Sequence, residues 1–383
     1  MKKNINFAID LRYAEKKNNG LTRFSKNIFL NLLNSEPLQS KKFLIILPPK
    51  ASSYHIREFS KLKGSNRVIV YWDKNRKWRW KIGLYFLDIK LYLLLRKMQI
   101  GIYLTPFMDP PIMPGIKIIS TIHDITFLKI DHYFTKFRNS KRLIGDIRIL
   151  ITILISKYLI TVSKSTKVEL INRYKYLPFF LQKKILNALI IPNGITNLSF
   201  SKKKVYLPKK FPKKYFLYVG DRRPHKNIEY LIELIGLIRK ELKEDIYLVI
   251  AGSKSYKNVY LENEVRNNKV FIREFVDPKD YELCYLYKNC SAFFLLSKSE
   301  GFGIPIIEAA LFQKKIIANN ISSLRETAPN NSLFINCQNI NEDKKKVIYY
   351  LKNNNHPDKK QVLKKWKWEN SSELLSDFIQ KIC

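Results

Sequence analysis

Residues 215–227 read YFLYVGDRRPHKN, and this stretch contains a change from strand to helix that recurs along the whole chain. The apolar run Tyr215–Val219 predicts a buried strand, and apolar residues at helical spacing predict a helix over Asn227–Leu242. Short apolar runs alternate with helical patterns on both sides of this stretch. Strands that alternate with helices form parallel sheets joined by right-handed crossovers. The sequence therefore predicts the α/β fold class.

The alternation falls into two series, separated by a stretch that is rich in Lys and Pro and has no periodicity. The first series begins at Ile5–Asp10 and ends at Leu189–Pro192, while the second begins at Tyr215. Ligands of such sheets bind at the carboxyl ends of the strands, so we expect two domains that face a central cleft. The predicted organisation is a doubly wound, Rossmann-like domain over 1–200, a linker over 201–214, a second such domain over 215–365 and a C-terminal helix over 366–383.

The chain is strongly basic. Its 383 residues include 70 Lys and Arg against 32 Asp and Glu, a formal net charge of +38. Three interpretations stay open: contact with an anionic membrane, binding of nucleic acid, and a Lys-rich composition without any such partner. Nucleic-acid binding would call for arginine-rich patches with interleaved aromatic residues or a recognisable module, and the sequence shows neither. We therefore predict no nucleic-acid partner and keep peripheral contact with an anionic membrane among the expectations.

Membrane spans and cysteine-based sites are not predicted. The most apolar region, Leu143–Val162, is interrupted by Asp146, Arg148 and Lys157, whereas a spanning helix needs about 20 residues with few charges. The 4 cysteines have no C-x-x-C spacing, which argues against a zinc site or a disulfide framework and favours a reducing compartment. The expected location is the cytoplasm, with peripheral contact at the inner face of the plasma membrane.

Polar residues and glycines interrupt the pattern at the ends of predicted strands. Gly220–Lys226 follow one strand, Glu300–Gly303 open the helix that holds Glu308, and His123 follows a strand of the first series. Glycines before a helix let backbone N–H groups approach a phosphate, and Lys226 supplies a fixed positive charge. No Walker P-loop, G-x-G-x-x-G, D-x-D or H-E-x-x-H motif is present. We therefore predict a diphosphate site that uses no metal and no cofactor.

Simpler structural roles stay open for several of these residues. Gly20 can be an ordinary loop glycine, and Asn227 can cap a helix. His123 and Asp124 can form a hydrogen-bonded pair that closes a loop. Glu308 lies among apolar residues, so it needs a partner if it is buried.

Taken together, these motifs resemble the family 4 (group 1) retaining glycosyltransferases of the GT-B fold. The segments that carry the resemblance are Ile9-Asp10-Leu11-Arg12, Gly20-Leu21-Thr22-Arg23, Thr121-Ile122-His123-Asp124, Val162-Ser163-Lys164-Ser165, Pro192-Asn193-Gly194, Tyr218–Asn227 and Glu300–Glu308. They occur in the order and at the spacing that the family shows. The tail 366–383 is similar to the family's terminal helix, which crosses back to the first domain.

The resemblance implies roles for individual residues. Lys226 with Arg222 would neutralise the donor diphosphate, which Gly20 would approach from the first domain. Glu308 would hold the ribose hydroxyls, and Glu300 would hold the donor sugar. The catalytic residues implied are His123, Lys226 and Glu300, with no metal ligand. The donor-binding residues implied are Gly20, Arg222, Lys226, Glu300, Gly301, Phe302, Gly303, Ile304 and Glu308.

The resemblance also implies a reaction. A hexose would pass from a nucleotide-sugar, such as a GDP- or UDP-hexose, to a hydroxyl of a glycan or lipid-linked acceptor with retention of configuration, in cell-surface polysaccharide or lipopolysaccharide synthesis. The Pro-His-Lys-Asn variant at 224–227 favours mannose from a GDP donor. Two alternatives stay open: other chemistry on the same fold, such as a nucleotide-sugar epimerase, and a non-catalytic, basic surface-binding protein with a degenerate transferase fold.

Overall fold

The computed structural model describes residues 6–12, 20–35, 38, 41–48, 58–59, 67–71, 88–129, 138–195, 211–254, 256, 258–353 and 356–383. The chain divides into two compact units. The first unit contains Met1–Leu128, Asn139–Thr196 and Lys367–Cys383, and the second contains Lys129–Arg138 and Asn197–Trp366. Most of the predicted linker 201–214 lies outside the described residues.

The first unit is built on a sheet of 7 strands in the order β3-β2-β1-β4-β5-β6-β7. Every pair in it is parallel. The strand at Phe43–Leu47 is buried at every position, as expected where helices cover both faces of a parallel sheet. The strands are β1 (Asn6–Asp10), β2 (Phe43–Leu47), β3 (Arg67–Tyr71), β4 (Ile100–Thr105), β5 (Lys117–Ile122), β6 (Tyr158–Thr161) and β7 (Leu189–Ile190).

Helices connect these strands, and local capping fixes where some of them begin. Asp88 accepts a hydrogen bond from the backbone N–H of Leu91, and Ser163 accepts one from that of Thr166, which satisfies donors that a helix start leaves open. The described helices between β1 and β7 are α1 (Gly20–Asn34), α2 (Ile89–Lys97), α3 (Thr126–Lys129), α4 (Arg138–Ile155), α5 (Lys164–Arg173) and α6 (Phe179–Leu186).

The second unit is built on a parallel sheet of 6 strands in the order β10-β9-β8-β11-β12-β13. The strands are β8 (Tyr215–Val219), β9 (Tyr247–Gly252), β10 (Ile272–Val276), β11 (Ala292–Leu295), β12 (Lys315–Asn319) and β13 (Leu333–Ile335). The helices are α7 (Ile228–Leu242), α8 (Val259–Asn267), α9 (Asp280–Asn289), α10 (Ile304–Leu311), α11 (Ser322–Thr327), α12 (Ile340–Lys352) and α13 (Lys359–Lys365).

The C-terminal helix α14 (Trp368–Ile382) belongs to the first unit and packs on α1. Ser371 Oγ donates to the carbonyl oxygen of Pro192 at 2.8 Å. A Cβ atom on Gly194 would lie 2.6 Å from the backbone nitrogen of Trp368. The Pro192-Asn193-Gly194 segment, which carried part of the family resemblance, therefore packs against the first turn of α14. The predicted return of the tail to the first domain is confirmed.

Within the part of the chain that the structure describes, no helix is both long enough and apolar enough to cross a membrane.

The predicted α/β architecture of two parallel-sheet domains is confirmed. The apolar run Phe43–Leu47 predicts a strand over the residues that β2 occupies. The apolar run Val270–Ile272 predicts a strand at those residues, whereas β10 is observed at Ile272–Val276. Val270 is 76% exposed, and the charged side chains further along the strand have partners in the fold, so tertiary pairing overrides the apolar pattern there.

Candidate active site

The candidate site lies where the strand order of the second unit reverses. β8 has β9 on one side and β11 on the other, so the segments that follow β8 and β11 leave the same edge of the sheet in opposite directions. Ligands of open α/β sheets bind at such a switch point, outside the carboxyl ends of the strands. Residues 220–227 follow β8 and residues 296–303 follow β11, so the sequence motifs of the second series meet here.

An ion pair joins these two segments. Lys226 Nζ lies 2.7 Å from Glu300 Oε1, and the two side chains are 15% and 13% exposed. Ser297 Oγ donates to the same carboxylate oxygen at 2.7 Å. The structure therefore brings together the two residues of the second domain to which the sequence assigned catalytic roles. Because both side chains are partly buried, water screens their charges less than at the surface, and the attraction between them is stronger.

The turn that carries Lys226 is held rigidly. A 3₁₀ turn over Pro224–Lys226 is followed by Asn227, whose φ of 57° is left-handed, and α7 begins at the next residue. The backbone N–H of Lys298 donates to the carbonyl oxygen of His225 at 2.7 Å, which ties the turn to the segment after β11. Asn227 occupies the capping position, but its side chain makes no capping hydrogen bond. The simpler role left open for Asn227 thus holds for its position at the start of the helix, but its side chain does not cap the helix, because the backbone turns through it in a left-handed conformation.

His225 is buried in this turn as a neutral imidazole. Burial lowers its pKa most, and the neighbouring positive charges of Lys226 and Arg223 act in the same direction, so that the pKa falls to about 2. At neutral pH the imidazole therefore adds no positive charge beside Lys226.

The glycine segment before α10 places a helix N-terminus beside the ion pair. Gly303 has a φ of +91°, and a Cβ atom there would lie 2.7 Å from Leu324 Cδ2, so the position requires glycine. Phe302 is buried with its ring edge-on to Trp366 at 5.1 Å between centroids, and Thr327 Oγ1 donates to its carbonyl oxygen. Ile304 is the first residue of α10. Gly303 and Ile304 can thus offer backbone N–H groups to an anion, whereas the Phe302 side chain serves packing. The role of Gly301 toward a donor stays a prediction.

Glu308 is buried one turn further along α10 and has the partner that the sequence analysis required. Tyr287 Oη donates to Glu308 Oε2 at 2.8 Å, and Glu308 is 3% exposed. Its role toward a ribose stays a prediction.

Arg222 extends away from Lys226, toward β10. Its Nη1 forms an ion pair with Glu274, which also binds Lys254 Nζ at 2.6 Å. Arg222 is 3% exposed, and its Nε and Nη2 atoms are buried without a hydrogen-bond partner. The predicted pairing of Arg222 with Lys226 on one diphosphate is therefore not seen in the geometry, because Glu274 already holds this guanidinium.

Gly20 and His123 lie in the first unit. Gly20 is the exposed first residue of α1. His123 Nε2 lies 2.8 Å from the carbonyl oxygen of Pro106, and its ring meets Phe24 edge-on at 4.9 Å. Burial lowers the His123 pKa, against the opposing effects of that carbonyl and of Asp124. Neutral His123 thus donates from Nε2 and keeps Nδ1 as an acceptor.

Asp10 and Arg12 of the first unit bind each other and neighbouring buried side chains. Arg12 donates to both carboxylate oxygens of Asp10, and its Nη1 lies 2.9 Å from Asp88 Oδ2. Tyr103 Oη donates to Asp10. All of these groups are at most 5% exposed. Asp10 and Arg12 follow the first strand, and the end of a strand predicts a ligand site. The structure instead shows them in a buried charge cluster.

Sequence reasoning missed Ser297, Glu274 and Gly252. Ser297 and Glu274 carry no local signal, because each meets its partner only through the fold. Gly252 does carry one, since it is a glycine at a strand end. It has a φ of +133°, and a Cβ atom there would lie 2.1 Å from the carbonyl oxygen of Gly220. The loop after β8 can take its path only because β9 ends in glycine.

We predict that Gly252→Ala destabilises the chain by about 1–3 kcal/mol, since the added methyl meets rigid backbone and the left-handed conformation is strained. Gly236→Ala is the matched control. Gly236 lies inside α7, where the nearest atom to an added Cβ is Phe271 Cζ at 3.6 Å, so alanine there should stabilise by about 0.5–1 kcal/mol. Urea unfolding of both variants checks this, and equal stability of the two would contradict it.

No group of three or more His, Cys, Asp or Glu side chains arranged to hold a metal ion occurs among the described residues.

Sequence comparison shows that the chain is similar to known glycosyltransferases. Residues 200–365 match the family model described as Glycosyl transferases group 1. An uncharacterized glycosyltransferase of Methanocaldococcus jannaschii is 28% identical over 213 residues, covering 55% of this chain and 55% of that protein. O-antigen chain mannosyltransferase B of Escherichia coli is 32% identical over 114 residues, 29% of this chain and 30% of its own length. An O-antigen chain mannosyltransferase of Salmonella typhimurium is 31% identical over 140 residues, 35% and 37% of the two chains. The chain thus spans about half or less of the length of these curated relatives.

Solved structures match over nearly the whole chain. Sucrose-phosphate synthase from Thermosynechococcus elongatus superposes with a TM-score of 0.68 at 13% identity, covering 99% of each chain. Anabaena HepE in complex with UDP-glucose gives a TM-score of 0.64 at 11% identity, covering 98% of this chain and 100% of that one. At these identities the likeness establishes the fold, which is GT-B as predicted. The segment 200–365 matches the group 1 glycosyltransferase model, in agreement with the family resemblance drawn from the sequence.

Proposed function

We propose that the chain transfers a hexose from a nucleotide-sugar to a hydroxyl of a glycan or lipid-linked acceptor in cell-surface polysaccharide synthesis. The hexose that we propose is mannose. The observation that carries the proposal is the Lys226–Glu300 pair beside the N-terminus of α10, inside the segment that matches the glycosyltransferase model. The names of two relatives as O-antigen mannosyltransferases support mannose, and the complex of Anabaena HepE with UDP-glucose supports a nucleotide-sugar donor.

The proposed mechanism is front-face transfer with retention. The bond between the anomeric carbon and the diphosphate oxygen breaks, and the acceptor hydroxyl attacks from the same face. Its proton passes to the departing diphosphate, so no other base is required. Lys226 and the backbone N–H groups at Gly303 and Ile304 stabilise the charge that develops on the leaving group. Glu300 would bind hydroxyls of the donor sugar once the diphosphate has taken over Lys226.

His123 has a supporting role in this proposal. Its Nδ1 is left as an acceptor by the contact of Nε2 with Pro106, so it suits a hydrogen bond from a hydroxyl of the donor sugar. Glu308 would hold the ribose, and Arg222, bound to Glu274, would act next to the donor nucleotide and not on the diphosphate.

The test of the proposal is thermal unfolding of the chain with GDP, UDP and ADP, and with their common sugar conjugates. A ligand at 100 times its Kd should stabilise the folded chain by about 2.7 kcal/mol. We expect the GDP series to stabilise, and Lys226→Ala to lose that shift. Lys214→Ala, at an exposed lysine paired with Glu244, should keep it. If no nucleotide stabilises the wild-type chain, the proposal is wrong.

We further predict that transfer does not depend on a divalent metal. Lys226 and the amide groups before α10 supply the positive charge that a metal would bring to the diphosphate. Addition of EDTA should leave the initial rate unchanged within the error of the assay. A loss of rate that Mg²⁺ or Mn²⁺ restores would contradict this prediction and point to a metal bound with the donor.

A further inference from the structure

Four helices of the first unit form one layer on a single face of its sheet. α2 packs in a core cluster that contains Ile118 of β5, while α4, α5 and α6 pack in a second cluster that contains Ile122 of the same strand. Side chains alternate between the faces of a strand, so two residues four apart point to the same face. The outer sides of α2, α4, α5 and α6 therefore look away from the sheet in one common direction.

This outer surface, called here the helix-layer face, exposes large apolar side chains. On α4, Leu143, Ile147 and Leu154 recur at helical spacing, so they form one stripe along the helix. The helix-layer face is defined by Leu93, Leu143, Ile147, Leu154, Phe179 and Phe180, which are between 44% and 75% exposed. Lys184 Nζ donates to the carbonyl oxygens of Ile153 and Leu154 at 3.0 and 2.7 Å. This contact places the second half of α6 beside the end of α4 in the same layer.

The chain segment that forms most of this face is rich in basic residues. Residues 142–190 contain Asp146 and Glu169 as their acidic residues. Asp146 is held by Arg173 Nη2 at 2.5 Å and by Tyr174 Oη, so it does not offset the other cations. The basic residues of this segment are Arg142, Arg148, Lys157, Lys164, Lys167, Arg173, Lys175, Lys183 and Lys184. Arg148 pairs with Asp109, and Lys184 is held by backbone carbonyls, but Lys164, Lys175 and Lys183 are exposed. Exposed lysines and exposed apolar side chains therefore occur together on these elements.

We propose that the helix-layer face docks on the surface of an anionic lipid bilayer. A contiguous set of exposed apolar side chains marks an interaction site. A second copy of the chain would bring like charges together, and a nucleic acid would leave Leu and Phe side chains against phosphates. An anionic bilayer satisfies both features, because lysines meet the headgroups while the apolar side chains enter the boundary between headgroups and acyl chains.

This docking adds a location to the proposed function, since a lipid-linked acceptor would be presented at that surface. Hexose transfer to an acceptor in solution does not depend on it. The two proposals can therefore fail separately.

The experiment is flotation of the full chain with vesicles of phosphatidylcholine alone or mixed with phosphatidylglycerol, at low and high salt. The wild type should bind the mixed vesicles at least about tenfold more strongly, and high salt should weaken that binding. The variant Leu143→Ser/Ile147→Ser/Phe179→Ser/Phe180→Ser should lose about tenfold or more on the mixed vesicles. Lys175→Gln/Lys183→Gln should reduce the preference for phosphatidylglycerol.

The matched control is Val259→Ser/Tyr349→Ser, at two exposed apolar residues of the second unit, which should bind as the wild type does. Thermal unfolding and transfer to a soluble acceptor report that each variant is folded. Equal binding to both vesicle types, or binding that neither set of substitutions reduces, would overturn the proposal. So would a wild-type dimer in solution that the serine variant converts to monomer, since the face would then be an interface between copies.

Discussion

Lys226→Ala is expected to lower kcat/KM by at least about 10²-fold in an assay with the nucleotide-sugar donor and its acceptor. Loss of one group that stabilises a developing oxyanion costs about this much in other enzymes. Lys226 sits at the switch point of the sheet with 15% of its side chain exposed. Its charge is therefore less screened than that of a surface lysine, and it meets the leaving diphosphate where negative charge grows.

The loss should fall mainly on kcat, because the interaction is stronger in the transition state than with the intact donor. The substitution also leaves Glu300 without its lysine, so thermal unfolding must accompany the kinetics. Lys214→Ala removes an equal charge at a lysine that is 51% exposed, and its rate should match the wild type. Near-normal turnover of Lys226→Ala beside a normal Lys214→Ala would remove Lys226 from the mechanism.

Most of this site could be predicted because its residues follow strands that are easy to recognise. Apolar runs of four to six residues locate β8 and β11, and parallel topology then brings Lys226 and Glu300 to one edge of the sheet. The glycine at 303 could be predicted for the same reason, since a strand-to-helix turn of this kind needs a left-handed residue.

The direction of Arg222 could not be predicted. Three positive residues lie within the segment 222–226, and only the presence of Glu274 on β10 decides which way Arg222 turns. Charged residues within β10 also explain why the apolar pattern predicts the strand at the wrong residues. A strand with Arg273 and Glu274 at its centre has no apolar pattern, and these side chains become acceptable only after the fold supplies their partners.

Arg12→Met is expected to destabilise the first unit by about 3–5 kcal/mol, the cost typical of removing one partner from a buried ion pair. Arg12 binds Asp10 and Asp88, whose exposures are 1% and 5%. The substitution keeps the length of the side chain but leaves both carboxylates without the guanidinium. Arg173→Met is the matched control, since that pair with Asp146 is 38% and 22% exposed and surface pairs contribute about 0–1 kcal/mol.

The loss should depend on pH in a way that identifies its cause. In the wild type, burial works against ionisation of Asp10, but Arg12, with help from Tyr103, holds its pKa below the usual value. A lowered pKa stabilises the folded chain above the unfolded value of about 3.9, and this stabilisation is lost as the pH falls through the lower folded pKa. In Arg12→Met only the hydrogen bond from Tyr103 still opposes burial, which is the largest cause, so we expect the pKa of Asp10 to rise above its unfolded value.

The variant is then penalised as the pH rises from about 4 toward its new folded pKa, because the native carboxyl holds a proton that the unfolded chain releases. The difference between wild type and Arg12→Met should therefore be larger at pH 7 than at pH 4. Urea unfolding at both values measures it, with Arg173→Met alongside. A difference that is the same at both pH values would mean that lost packing around the Arg12 stem, and not the buried carboxylates, accounts for the instability. Because this cluster closes the carboxyl end of β1, the result also decides whether the Asp-x-Arg motif serves stability or a ligand.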